Sequence, residues 1–213
     1  MLWLTEKTLE REEPKMNRRE GTTSEKTPIE IERTTQSPAR LGMIFFLISE
    51  AFLFGSLFWT YYYLRAETVI WPPAGVELNL TLAVIDTFIL LASSGSLWWA
   101  GRAMRRKKAN GLALGLGITI LMGIIFLGIT GWEWTHESFR PWTHAYGSIF
   151  YTLTGFHALH VFGGLILLLA LLARSLRHQF TSTAYRPFEI GSLYWHYVDF
   201  IWLIVFSTLF IIR

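Results

Sequence analysis

Acids and histidines interrupt four of the five long apolar stretches that fill this chain after residue 40. The six groups are Glu50, Asp86, His157, His160, His196 and Asp199. An ionisable side chain at membrane depth costs on the order of several kcal/mol unless it is paired or faces a protein interior. Such groups can ligate a metal, carry protons or join neighbouring helices, so they are the first candidates for function.

His157 and His160 are three residues apart, which places both on one side of a helix, as a pair of metal or haem ligands would be. A closed site needs three or four ligands, however, and only His196 on another stretch could join them. The chain has no cysteine, which excludes a thiolate copper centre, an iron–sulfur cluster and haem attachment through cysteine. We therefore expect no metal site, and interhelical hydrogen bonds or lipid contacts for both imidazoles.

His196 and Asp199 have the same spacing. A carboxylate one turn from an imidazole can orient it, pair with it statically or take part in a proton relay, and the spacing fits all three roles. Asp86 is expected to make an interhelical hydrogen bond. Glu133 lies near a predicted interface, where we expect it to be solvated.

Glu50 lies about ten residues into the first apolar stretch, which places it roughly 15 Å deep, near the bilayer midplane. Burial at that depth disfavours the charged carboxylate, so a neutral carboxylic acid is expected. Such a group can donate a hydrogen bond to a neighbouring helix, carry a proton or react with a hydrophobic carbodiimide.

The elements that carry these residues are predicted from length, since about 20 helical residues cross the hydrocarbon core. We place spans near 41–64, 79–101, 111–134, 146–173 and 190–212. The predicted fold class is all-α: an integral membrane protein with a bundle of five transmembrane helices over residues 41–213. Residues 1–40 mix acids and bases with few aromatics, which predicts a polar, flexible cytoplasmic tail.

Basic residues predict the orientation of the bundle. The loops after spans two and four are rich in arginine and lysine, whereas the other two loops hold Arg65 and Arg140. The positive-inside rule therefore places the N-terminus in the cytoplasm and the C-terminus outside. The net charge of +3 follows from these loops, and no clustered basic face suggests a nucleic-acid partner.

Five strings in this chain resemble a known family. They are LGMIFFLISEAFLFGSLFW (41–59), WPPAG (71–75), LLASSGS (90–96), YGSIFYTLTGFHALHVFGG (146–164) and YWHYVDFIWLIVF (194–206). In this order they look like subunit III of the haem–copper terminal oxidases, the cytochrome c oxidase family. Its longer members have seven spans, and this chain is similar to the last five, as in the shorter bacterial forms.

The resemblance implies an accessory subunit of an oxygen-reducing, proton-pumping oxidase in a bacterial plasma membrane. Haem and copper would lie in partner subunits: subunit I, the main contact, and subunit II, with a small subunit IV as a further candidate partner. This chain would carry no catalytic residue and no redox cofactor. Its implied roles are to bind structural phospholipids, to stabilise subunit I and to sustain proton uptake.

Residue by residue, Glu50 matches the carbodiimide-reactive carboxylate of the family. The family's lipid contacts fall at or near four positions, with histidine frequent in the family at the second of them. These positions are Trp59, Tyr63, Arg174 and His196. The motif residues His157, His160 and Asp199 match positions with a structural or lipid-contacting role.

Four other hypotheses remain open at this point: the same subunit in a quinol oxidase, a related protein of nitric oxide reductases, a proton-coupled transporter and a membrane di-haem cytochrome. The presence or absence of copper-site cysteines in subunit II would distinguish a cytochrome c oxidase from a quinol oxidase. The transporter would use Glu50, His196 and Asp199, but the chain lacks the internal repeats that many transporters show. The di-haem cytochrome needs paired histidines on facing helices, which this sequence barely supplies.

The topology can be tested by accessibility labelling. Single cysteines at Lys107 and Thr143 should react with an impermeant maleimide from the cytoplasmic and the outer face respectively, because basic loops stay inside. Labelling of both positions from the same side would contradict the five-span topology.

Overall fold

The part of the chain that the structure describes forms five long helices. A computed structural model describes residues 38–177 and 185–212. The helices are α1 (Pro38–Glu67), α2 (Leu80–Arg105), α3 (Ala109–His136), α4 (Ala145–Leu176) and α5 (Tyr185–Phe206), and α5 continues as a π-helical turn, Ser207–Ile211. All five are long and apolar enough to cross a membrane, which confirms the predicted all-α membrane fold. The predicted polar tail lies outside the described residues except for its last three positions.

Each helix extends beyond the predicted span at one end or both, because polar residues form many of the first and last turns. The two exceptions are single residues: α2 begins one residue later than predicted, and the turn after α5 ends one residue earlier. The Oδ1 atom of Asn79 accepts a hydrogen bond from the Leu82 amide at 3.1 Å and caps α2. The Nδ1 atom of His144 accepts one from the Gly147 amide at 2.8 Å and caps α4. Side-chain caps of this kind satisfy amide groups that have no partner inside the helix.

Four helices form a ring, and the fifth lies outside it. Helices α2, α3, α4 and α5 pack each against the next, and α5 closes on α2. Helix α1 packs against α4 and α5, and its buried residues, Leu47, Phe54 and Tyr61, are seven positions apart. Because this spacing follows a single stripe, most of the apolar surface of α1 remains exposed.

The contact between α2 and α3 is close because glycine occupies it. A Cβ atom at Gly115 would lie 2.6 Å from the Cβ of Ala100, closer than carbon atoms can pack. At Gly123 a Cβ would lie 2.8 Å from the side chains of Leu165 and Trp195. Glycine at these two positions therefore allows α3 to pack closely against its neighbours.

Gly115→Ala should destabilise the chain by about 1–3 kcal/mol, because the added methyl group overpacks the α2–α3 contact. Gly117→Ala is the matched control, because apart from the backbone of α3 itself no atom lies within 4 Å of its Cβ position. Thermal unfolding in mild detergent, followed by tryptophan fluorescence, should show a lower midpoint for the first variant and an unchanged or slightly higher midpoint for the second. Equal midpoints would contradict the close contact.

Candidate functional site

Glu50 and His160 meet between α1 and α4. The Oε2 atom of Glu50 lies 2.9 Å from Nε2 of His160, and the two side chains are only 16% and 12% exposed. The Nδ1 atom of the imidazole lies 2.7 Å from the carbonyl oxygen of Phe156. Because a carbonyl only accepts, Nδ1 must carry a proton, and Nε2 then accepts from a protonated Glu50 or donates to its carboxylate. In either form the two side chains share one proton.

This pair ties α1 to the ring of helices and lies near the middle of both α1 and α4. The ring of Phe54 packs edge-on against His160 at 5.1 Å, and the Tyr194 hydroxyl donates to the His160 carbonyl at 3.0 Å. Polar contacts also hold the two ends of α1. Arg40 lies 3.4 Å from Glu189, and the Arg65 guanidinium donates to the carbonyl of Ile212.

A second polar cluster joins α2 to α5. The Ser94 hydroxyl lies 2.8 Å from Nδ1 of His196 and donates to Oδ2 of Asp199. A nucleophilic serine requires the histidine in the middle, between serine and acid, and here the serine is in the middle. The cluster therefore fits a link between helices. The sequence suggested a direct His196–Asp199 interaction, and it did not identify Ser94, whose only signal was its place in the LLASSGS string.

The link continues along the same pair of helices. The indole N–H of Trp195 donates to the Ser93 hydroxyl at 2.9 Å, and that of Trp202 donates to the Thr87 hydroxyl at 3.0 Å. These bonds need a small hydroxyl on α2 opposite a large indole on α5. The first of them joins two of the family-like strings, LLASSGS and YWHYVDFIWLIVF.

His157 lies apart from both polar clusters. Its ring is fully buried beside Phe126, at 5.6 Å, and Trp202, at 4.9 Å. Because His157 is three residues from His160, it is turned about 60° around the helix axis. It therefore faces the interior of the four-helix ring instead of α1. Within residues 38–177 and 185–212, no three His, Asp or Glu side chains converge as metal ligands do. The predicted absence of a metal site stays a prediction.

The four predicted lipid contacts do not form one pocket. Trp59 and Tyr63 lie exposed on the half of α1 that ends at Glu67. Arg174 lies exposed at the opposite end of the bundle, because α1 and α4 run antiparallel. Counted from the Glu50–His160 contact, Tyr63 and Arg174 lie about 20 Å away in opposite directions. They can contact lipids only in different leaflets, and the lipid role of all four, including His196, stays a prediction.

The expectation that Glu133 is solvated is wrong. Its side chain is 7% exposed, because the α1–α2 loop and the chain after α3 cover it. Asp86 of α2 is buried too and faces Glu133 and Thr130 of α3. Just beyond the membrane-spanning segment, burial raises the pKa of Glu137 to about 7. Acidic side chains therefore extend from the interior to the predicted outer surface.

Glu50 is predicted to be the carboxyl group that a hydrophobic carbodiimide modifies. Glu50→Gln should fold, since the amide can still donate to Nε2 of His160, and mass spectrometry should find no carbodiimide adduct on α1. Asp199→Asn is the control and should leave the adduct in place. An unchanged adduct yield in the Gln variant would show that another acid reacts.

Comparisons with known proteins agree with these features. The family model described as cytochrome c oxidase subunit III matches residues 20–212, beginning inside the predicted polar tail. The cytochrome c oxidase subunit 3 of Thermostichus vulcanus is 36% identical over 89% of this chain and 96% of its own length. The proteins of that name from Mus musculus and Myxine glutinosa are each 37% identical, over 90% and 82% of this chain and 75% and 70% of their own lengths. This chain therefore belongs to the cytochrome c oxidase subunit III family.

Proposed function

We propose that this chain supports oxygen reduction without performing it. The observation that carries the proposal is the separation of the membrane histidines. His157 lies among aromatic rings, His160 contacts Glu50, and His196 contacts Ser94. A haem or copper site needs imidazoles that converge on one point. The separation of these histidines therefore supports the proposal that haem and copper lie in the partner subunits I and II.

The proposed contribution of the chain is to hold lipid and helices against subunit I in a bacterial plasma membrane. The exposed face of α1, with Phe45, Phe52 and Trp59, offers an apolar surface that acyl chains or a partner helix can cover. The proton shared by Glu50 and His160 lies behind this face. We propose that these features together sustain proton uptake into subunit I during turnover.

Depletion of this chain from the purified oxidase should leave its haem spectrum unchanged and its initial rate within a small factor. The depleted enzyme should then lose activity in fewer turnovers, and its proton pumping should decline more steeply as pH rises. Oxygen consumption over many turnovers, at matched haem content, measures this lifetime.

Adding the purified chain back should restore the longer lifetime and serves as the control. Loss of haem or copper on depletion would show that the chain ligates a redox centre. Identical lifetimes with and without the chain would remove the protective role and leave the family assignment standing.

A further inference from the structure

A cavity of about 310 Å³ lies between the start of α2 and the end of α3, at the predicted outer surface. Three acids line it: Glu77 from the α1–α2 loop, Glu133 from α3 and Glu137 just after α3. His136 is the other titratable side chain in its wall, and the described lining holds no lysine or arginine. The charge of this cavity therefore favours a cationic group.

Glu133 gives a second and independent indication of a ligand. Its side chain is buried and lines the cavity, and its Oε1 atom has no hydrogen-bond partner among the described residues. A buried acceptor without a partner is unfavourable, so a donor from outside the chain would stabilise it. A primary ammonium group supplies both the positive charge and the N–H donors.

An apolar groove of about 410 Å³ lies beside this cavity along α3. The two spaces share Leu82 and Trp132 in their walls, and Ile125, Gly128 and Ile129 complete the groove. Since these last three residues lie within a membrane-spanning helix, the groove is at the depth of lipid acyl chains. A polar, acidic cavity adjacent to an apolar groove matches the two parts of a lipid.

We propose that this surface binds a phospholipid whose headgroup carries a primary ammonium, with the ammonium at Glu133 and Glu137 and an acyl chain against Gly128. A quaternary ammonium has no N–H to donate, and an anionic headgroup would be repelled. No three acids here converge as metal ligands do, which disfavours a small divalent cation. The site is separate from Trp59, Tyr63, Arg174 and His196, and it does not depend on a role of the chain in respiration.

Native mass spectrometry can test this site on the chain purified in mild detergent with the subunits that accompany it. Phosphatidylethanolamine, phosphatidylcholine and phosphatidylglycerol with identical acyl chains are added in equal amounts at pH 8, where Glu137 is charged. The ethanolamine lipid should be retained about tenfold better than the choline lipid, the effect of one charge-assisted hydrogen bond. Equal retention of the two lipids would overturn the proposal.

The double variant Glu133→Gln with Glu137→Gln should lose this preference. Glu67→Gln removes a carboxyl group from an exposed residue of α1 that does not line the cavity, and it should retain the preference. Loss of the preference in both proteins would show a general charge effect and overturn the site. Calcium chloride and soluble phosphoethanolamine, each added separately in excess, should not displace the lipid. Displacement by calcium would identify a cation site instead, and displacement by phosphoethanolamine would identify a headgroup site without an acyl chain.

A second pair of variants tests the groove without changing any charge. Apart from the backbone of α3 itself, no atom lies within 4 Å of a Cβ placed at Gly128 or at Gly131, so leucine should be accommodated at both. Gly128→Leu fills the groove and should lower retention of the ethanolamine lipid about tenfold, whereas Gly131, outside the groove, is the control. Unchanged retention in Gly128→Leu would overturn the proposal even if the glutamine variant failed to fold.

Discussion

The structure depends on one constraint: a polar side chain inside a bilayer has no water to bond, so one that its own helix does not satisfy needs a partner on another helix. Glu50 of α1 finds His160 of α4, and Asp199 of α5 finds Ser94 of α2. Two indole groups of α5 donate to hydroxyl groups of α2 in the same way. These contacts, together with glycine at the α2–α3 crossing, fix which helices are neighbours, since apolar surface alone does not distinguish a helix from lipid.

The same constraint accounts for the function that we propose. Each polar group that is used to join helices is unavailable to ligate a redox centre, and the histidines are accordingly spread over separate parts of the bundle. Helix α1 is held by its middle and both ends, yet it buries a single stripe. A chain built in this way presents a wide apolar surface on a firmly attached helix, which suits contact with lipid and with a larger membrane subunit.

The five spans could be predicted because hydropathy and length report directly on the bilayer. The partners of the polar groups could not, since the contact between Glu50 and His160 joins residues 110 positions apart and that between Ser94 and Asp199 joins residues 105 apart. Ser94 resembles any small residue of a packed helix. The position of Glu133 was predicted wrongly because counting from a helix end gives depth along the axis and does not show that a loop covers the side chain.

The central claim is that this chain accompanies a redox centre and does not hold one. The most direct measurement is the visible absorption spectrum of the tagged chain, purified in mild detergent with its partners identified by mass spectrometry, and recorded again after the subunits are separated. We predict that haem absorbance copurifies with the intact complex and remains entirely with the larger partner subunit after separation. Haem absorbance that stays with this chain would contradict the claim.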